Sequence, residues 1–274
     1  MKRDGKKIRI GIVGCGAIGS TLSFLLKKHY SRRFKVAALY DCDFLKMQAL
    51  GRKLKTPQCS SLGGLIDFSD LVVEAASAKA SFDIARHVLK KGKDILIMSV
   101  GGVLGKEKEL FALARKNRCR IYFPSGAICG LDGIASLSLA GFEKITLRTF
   151  KPPAALEGAD YVIRKGIDLN KIKKETVIFR GAASEAVAAF PQNINIVALL
   201  SIAARGKVVP RVEIAVSPGL KRNVHYIEVK SKAAYLTIRC ENVPSPDNPK
   251  TSYLAILSAV AAINGMDDIV HIGA

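Results

Sequence analysis

From residue 8 to about residue 130 the chain alternates short β-branched apolar runs with longer amphipathic segments. The runs 8–13, 34–40, 71–75, 94–99 and 120–123 predict strands, and the stretches 17–29, 44–54, 81–91 and 106–117 predict helices. The last two helices show their period plainly, with Phe82, Ala85, Val88 and Leu89 on one stripe and Leu110, Leu113 and Ala114 on another. Alternation of this kind implies a parallel sheet covered on both faces.

Beyond Gly130 the rhythm changes. A helix-like 131–142 leads to strands at 144–150 and 176–180, a helix from Ser184 opening with Glu185, and an apolar helix 194–204. Strands near 211–216, 224–229 and 235–240 follow, then a final helix over 249–265, introduced by Pro249 and ended by Gly265. The stretch 243–249, with prolines at 244, 246 and 249, reads as a linker. The expected fold is therefore α/β: an N-terminal Rossmann doubly wound parallel sheet over 1–130 and a second mixed α+β domain over 131–248. The C-terminal helix of 249–274 is expected to return to the first domain.

With 274 residues, 49% of them hydrophobic, the chain can bury a substantial core. Its longest nearly pure apolar stretch, 253–263, is too short for the ~30 Å of a bilayer interior, so a soluble protein is expected rather than a membrane one. The basic N-terminus imitates a secretory signal, but glycines at 11, 14, 16 and 19 interrupt the apolar run behind it. Six cysteines without a Cys-x-x-Cys pair, in a chain that needs no staples, point to reduced thiols and a cytoplasmic location.

Charge complicates this picture. There are 43 Lys and Arg against 23 Asp and Glu, a formal +20, and residues 1–56 alone carry +11. Such a field attracts nucleic acid, phosphorylated cofactors and dicarboxylates alike. No nucleic-acid motif accompanies it, so a solvated basic face is the expectation and a nucleic-acid partner the lesser alternative.

The chemistry begins at Gly14, Gly16 and Gly19, a Gly-x-Gly-x-x-Gly motif placed where a predicted strand meets a predicted helix. The first glycine permits the tight turn, the second lets backbone approach a pyrophosphate, and the third allows close helix–strand packing. Ala17 and Ile18 would lie at the helix N-terminus, whose free N–H groups favour an anion. The next strand ends in Asp41, 22 residues past Gly19, where a carboxylate accepts from both hydroxyls of an adenosine ribose. Asp41 repels a 2′-phosphate and so favours NAD; Lys46, Arg52 and Lys53 lie downstream and keep NADP open. Ala76, Ser77 and Ser99 follow the third and fourth strands, where ligands of such sheets bind. No His/Cys/Asp cluster has metal-ligand spacing, so no metal is expected. Cys15 and Cys129 lie in or near the cofactor loops, where being small is their expected role.

Several segments together carry a specific resemblance: the glycine motif 14–19, Glu-Ala-Ala-Ser at 74–77, Ser-Gly-Ala-Ile-Cys-Gly-Leu-Asp at 125–132, and Thr-Phe-Lys-Pro-Pro at 149–153. To these add Gly-Ala-Ala-Ser-Glu-Ala at 181–186, Phe-Pro-Gln-Asn-Ile-Asn-Ile-Val-Ala at 190–198, Asn-Val-His at 223–225 and Asn-Pro-Lys-Thr-Ser at 248–252. In this order, and spanning nearly the whole chain, they resemble the L-aspartate dehydrogenase family. The resemblance implies NAD(P)-dependent oxidation of L-aspartate to iminosuccinate, which hydrolyses to oxaloacetate and ammonia or feeds quinolinate synthesis for NAD. It also implies a homodimer built partly on the second domain's sheet, and a hand-off of the imine to quinolinate synthase. By motif position it makes His225 catalytic and places Ala127 and Asn195 near the nicotinamide. The chain departs from the pattern at Phe150, where a basic residue is expected, and in a longer segment 154–175.

The residues themselves narrow the base. Oxidising an amino acid requires loss of an ammonium proton before hydride leaves Cα, and histidine suits that task. His29 and His87 fall in predicted helices of the first domain and His271 near the terminus, which leaves His225 beside a predicted strand of the second. A strand histidine is more often a hydrogen-bonded core residue, so spacing alone leaves both readings open. Aspartate's two carboxylates call for donors and cations. Lys151, Lys250, Thr251 and Ser252 are candidates, the last three at the start of the final predicted helix. Asn193 and Asn195 stand at the start of an apolar helix, where capping that helix is the alternative to binding. The competing readings are another two-domain dehydrogenase of aspartate-derived intermediates, since one architecture hosts many reactions, and a non-catalytic dinucleotide sensor.

Overall fold

The structure, a computed structural model, describes residues 6–190, 194–246, 248–266 and 268–272. It divides into two compact units: residues 1–124 with 255–271, and residues 125–254 with 272–274. The division falls at 124/125 and 254/255 rather than at 130/131 and 248/249.

In the first unit, β1 (Ile8–Val13), β2 (Phe34–Tyr40), β3 (Leu71–Glu74), β4 (Asp94–Ile97) and β5 (Ile121–Tyr122) form a parallel sheet in the order β2-β1-β3-β4-β5. The helices are α1 (Ala17–His29), α2 (Phe44–Leu54), α3 (Leu62–Asp67), α4 (Ala78–Lys90) and α5 (Glu107–Asn117). The helix α3 was not anticipated; its two glycines, Gly63 and Gly64, hide the helical period. Central strands are apolar on both faces, with Ile10, Ile12, Val72, Val73, Ile95 and Leu96 wholly buried, as a parallel sheet between helical layers requires. The chain steps outward from β1 to β2 and returns on the other side to β3. The topological switch, where ligands of such sheets bind, therefore lies between β1 and β3. The closing helix Tyr253–Gly265 supplies buried Ile256, Ala259, Val260 and Ile263, and Arg33 donates to the Asn264 side-chain and main-chain oxygens at 2.9 and 3.1 Å.

In the second unit, α6 (Leu131–Leu137) ends well before residue 142, because Gly141 takes a φ of 85° and the chain then enters β6 (Phe142–Lys151). A short α7 (Asp160–Arg164) lies in the long segment after β6. Next come β7 (Thr176–Ala182), α8 (Ala183–Ala189), α9 (Ile194–Ala203), β8 (Arg211–Val216), β9 (Asn223–Ser231) and β10 (Tyr235–Asn242). These strands form a mixed sheet in the order β10-β9-β6-β8-β7. Its inner face, with Ile145, Leu147, Ile214, Ile227 and Val229, packs into a core shared with Ala186, Val197 and Leu200 of α8 and α9. Its other face carries Arg148, which bridges Glu213 and Glu228 at 3.0 and 3.7 Å.

The stretch expected to be linker and helix start is a small hairpin of β11 (Pro244–Ser245) and β12 (Asn248–Ser252). Pro249 therefore sits in an isolated strand pair, which tolerates a missing N–H, and the final helix begins only at Tyr253. Among the described residues no helix is long and apolar enough to cross a membrane.

Candidate active site

In the first unit the glycine motif occupies the switch between β1 and β3. Gly14 turns the chain with a φ of 98°, and a Cβ there would collide with the backbone of Ala75 and Ala76. A Cβ on Gly19 would strike the Gly14 carbonyl, so only glycine lets α1 pack this close. Gly16, the residue capping α1, has nothing within 4 Å of where its Cβ would stand. No side chain caps that terminus and no acidic residue lies in its first turn, so the leading N–H groups next to Ala17 and Ile18 remain for an anion. These observations fit a dinucleotide's pyrophosphate.

Two carboxylates shape the loops around it. Asp41, just past β2, accepts from the Cys15 N–H at 2.6 Å and from the Asp43 N–H at 2.8 Å, which ties the end of the second strand to the glycine loop. Lys46 is drawn to Asp43 at 2.9 Å, while Arg52 and Lys53 lie in the last turn of α2. Cys15 is buried, and burial followed by the charge of Asp41 pushes its thiol up to about 12, so it stays protonated and inert. Glu74 is fully buried, and its two oxygens accept from the Ala76 N–H at 2.9 Å and the Ser99 N–H at 3.0 Å. Burial raises its pKa, opposed by those N–H donors. Glu74 thus clasps the two loops that carry Ala76, Ser77 and Ser99. The Glu-Ala-Ala-Ser segment drew attention to the place, but the carboxyl itself was not singled out.

In the second unit the decisive feature is strand register. The inward face of the sheet is apolar along most of its length and turns polar at one end. Ile145 and Leu147 of β6 are followed on that face by Thr149 and Lys151; Leu236 and Ile238 of β10 by Cys240 and Asn242; and His225 precedes Ile227 and Val229 on β9. Pairing sets Thr149, His225 and Cys240 side by side across three strands. The Thr149 hydroxyl lies 3.1 Å from His225 Nδ1, and both residues are buried.

Lys151 is only 6% exposed and, among the described residues, its ammonium has no ion pair. Burial lowers its pKa. Burial, and then the charge of Lys151, pull His225 down to about 4, so the ring is neutral at neutral pH. The other histidines, 29, 87 and 271, are exposed.

Asn242, also not anticipated, joins two predicted positions: its Nδ2 donates to the Ala127 carbonyl at 3.0 Å and its Oδ1 accepts from Ser252 Oγ at 2.6 Å. Thr251 is half-buried in β12, to which Lys250 contributes backbone; the Lys250 side chain lies outside the described set. These residues belong to a strand, not to the start of the final helix. Asn195 stands inside the first turn of α9 rather than ahead of it, and Asn193 lies outside the described residues. Periodicity offered one signal for the missed residues: a polar run interrupting an apolar alternation at the same end of three strands.

Comparison with known proteins matches each part of the chain, the C-terminal match running on into the closing helix that belongs to the first unit. A family model described as "Aspartate dehydrogenase, C-terminal" matches residues 132–266, and one described as "Homoserine dehydrogenase, NAD binding domain" matches residues 14–124. The chain is 44% identical over 270 residues to an L-aspartate dehydrogenase of Methanosarcina acetivorans, covering 97% of this chain and 99% of that one. It is 41% identical over 269 residues to an L-aspartate dehydrogenase of Methanocaldococcus jannaschii, with the same coverage. Among solved structures, an aspartate dehydrogenase of Thermotoga maritima superimposes with a TM-score of 0.75 at 23% identity, over 98% of this chain and 100% of that one.

Proposed function

The chain belongs to the L-aspartate dehydrogenase family, and from that premise we propose that it oxidises L-aspartate to iminosuccinate, with NAD as the preferred hydride acceptor. The observation that carries this reading is the row Thr149–His225 with Lys151 at its end, a neutral base next to a buried lysine that has no ion pair among the described residues.

Lys151 takes one carboxylate of aspartate, and the Thr251 hydroxyl, with Lys250 and Ser252 on the same strand, takes part in holding the other. A carboxylate beside Lys151 removes the positive field that depresses His225 and raises its affinity for a proton when substrate is present. In the tautomer that serves a base, Nδ1–H donates to the Thr149 hydroxyl oxygen and Nε2 accepts the ammonium proton. When bound, the dinucleotide supplies the hydride acceptor at its nicotinamide. Gly14, Gly16, Ala17, Ile18 and Gly19 hold its pyrophosphate, Asp41 its ribose, and Ala76, Ser77 and Ser99 shape the rest of its loop set, with Ala127 and Asn195 serving the nicotinamide end. The first unit is the cofactor domain and the second the substrate and dimerisation domain.

The product hydrolyses to oxaloacetate and ammonia or passes to quinolinate synthase, which places the enzyme in cytoplasmic NAD synthesis. A homodimer forms on the outer face of the second unit's sheet, where Phe150, Val224 and Tyr226 lie among Arg148 and Arg239. NADP serves as a weaker alternative because Asp41 opposes a 2′-phosphate. The test is an amino-acid panel of L-aspartate, L-glutamate, L-alanine and homoserine at alkaline pH with NAD and with NADP, following absorbance of the reduced cofactor. Reduction with aspartate alone is expected. Folded protein that reduces cofactor only with homoserine would replace this reading by that of a related dehydrogenase.

A further inference from the structure

Cys129 and Cys240 come from opposite ends of the second unit's sequence, and their sulfurs stand 3.6 Å apart. Cys129 is exposed, in the turn 125–130 that also carries Ala127. Cys240 is buried on β10, directly across from His225 in the strand pairing. A disulfide needs ~2.05 Å between sulfurs, so closure asks for an approach of roughly 1.5 Å. The surrounding backbone is suited to it. Gly126 and Gly130 flank the turn with φ of 66° and 72°, and Asn242, two residues past Cys240, already holds the Ala127 carbonyl at 3.0 Å. Turn and strand are thus fastened in register before any covalent bond forms.

We propose that Cys129 and Cys240 are a peroxide-reactive thiol pair, a modification site whose oxidised form ties the turn 125–130 to β10 beside His225. The exposed Cys129 thiolate attacks one oxygen of hydrogen peroxide. The O–O bond breaks, Cys129 becomes a sulfenic acid, and the departing hydroxide takes up the proton released by the thiol to leave as water. Cys240 sulfur then attacks the Cys129 sulfur, the S–S bond forms, and the hydroxyl leaves with the Cys240 proton as a second water. Two electrons pass from the sulfurs to the peroxide. Burial holds the Cys240 thiol above its ordinary range, which suits it to resolve the sulfenic acid rather than to meet the peroxide. The disulfide constrains the turn that bears Ala127 and the strand next to His225, so turnover falls; this consequence rests on the function proposed above, whereas the oxidation does not.

The reduced protein is treated with a small excess of hydrogen peroxide, then digested for peptide mass mapping and assayed with aspartate and NAD, before and after dithiothreitol. A cross-linked 129–240 peptide lacking two hydrogens is expected, with a ~10- to ~100-fold loss of turnover that dithiothreitol reverses, the scale set by small misplacements near a reacting centre. Conversion of Cys129 to sulfinic or sulfonic acid without a cross-link, or a bond from Cys129 to another cysteine, would overturn the proposal. C129S, changed at an exposed position, must lose the cross-link and the peroxide sensitivity together; a C129S protein still inactivated by peroxide would sink the link between this pair and turnover. If the reduced protein ignores aspartate, the proposed function fails, and the peptide map still decides on the thiol pair.

Discussion

The two units hold their candidate residues by opposite means. The first works with backbone: three glycines set the path of a loop, free N–H groups end α1, and the side chains involved, Asp41 and Glu74, mainly pull loops together. The second works with side chains projected from paired strands, where Thr149, His225 and Lys151 occupy core-facing positions that would otherwise be apolar. A backbone site is local, and at Gly14 and Gly19 it tolerates no added Cβ. A side-chain site depends on register and pays in desolvation, which is visible in the lowered pKa of both His225 and Lys151.

The widest separation of the two is expected from H225N. Turnover should fall ~10³-fold, within the range lost with a general base, while NAD affinity measured by calorimetry stays as in the parent protein. An equal loss of NAD binding would break the division of labour. The mirror experiment is G19A, whose methyl meets the Gly14 carbonyl. It should cost about 1–3 kcal/mol in urea unfolding and weaken NAD binding by more than tenfold, as overpacking at a phosphate turn would. Unchanged NAD affinity in G19A would show that the loop yields more than its packing suggests.

The charge cost of the second site can be read from pH. His225 binds its proton only near pH 4 when folded, but near 6.5 when unfolded. Between these values the unfolded state binds more protons, so this residue's contribution makes stability fall as pH drops from 6.5 towards 4, by up to about 3 kcal/mol. Glu74, whose pKa is raised, contributes with the opposite sign, falling as pH rises above the unfolded carboxyl range. The difference between parent and H225N unfolding curves across that window isolates the histidine, and parallel curves would refute its buried, neutral state.

Smaller effects sharpen the contrast. E74Q presents an NH₂ to one of the N–H groups of Ala76 and Ser99, at a cost of about 1–3 kcal/mol, and should raise KM for NAD more than it lowers kcat. T149V removes the partner of His225 Nδ1, with about 1 kcal/mol of stability and a severalfold fall in kcat expected, and KM for NAD unchanged. A shift in KM for NAD with T149V would mean the row around His225 also sets cofactor affinity.

Much of the first unit was legible in the sequence for the reason that makes its site a backbone one. The strands at 8–13 and 34–40 and the helices at 17–29 and 44–54 match the structure residue for residue, because their periodicity and the Gly14-to-Gly19 spacing are local signals. The helix α3 escaped because Gly63 and Gly64 weaken its period. In the second unit the strands of the mixed sheet were found and those of the small hairpin were not, and two helix readings ran too far, over 138–142 and 249–252. In both, apolar spacing or a proline resembled a helix signal until Gly141 and the pairing of β11 with β12 redirected the chain.

By itself the sequence determined the glycine turn, the acid after the second strand, the alternation that builds the parallel sheet and the motif order that marks the family, all properties of neighbours along the chain. The tertiary structure alone decided that Glu74 clasps two loops, that Asn242 joins Ala127 to Ser252, and that Thr149, His225 and Cys240 share a row with Lys151 at its end. Those relations join residues up to 115 positions apart, and a shift of register by one residue would turn each strand's side chains to the other face. Only strand pairing, fixed by the core those strands bury together, could choose among them.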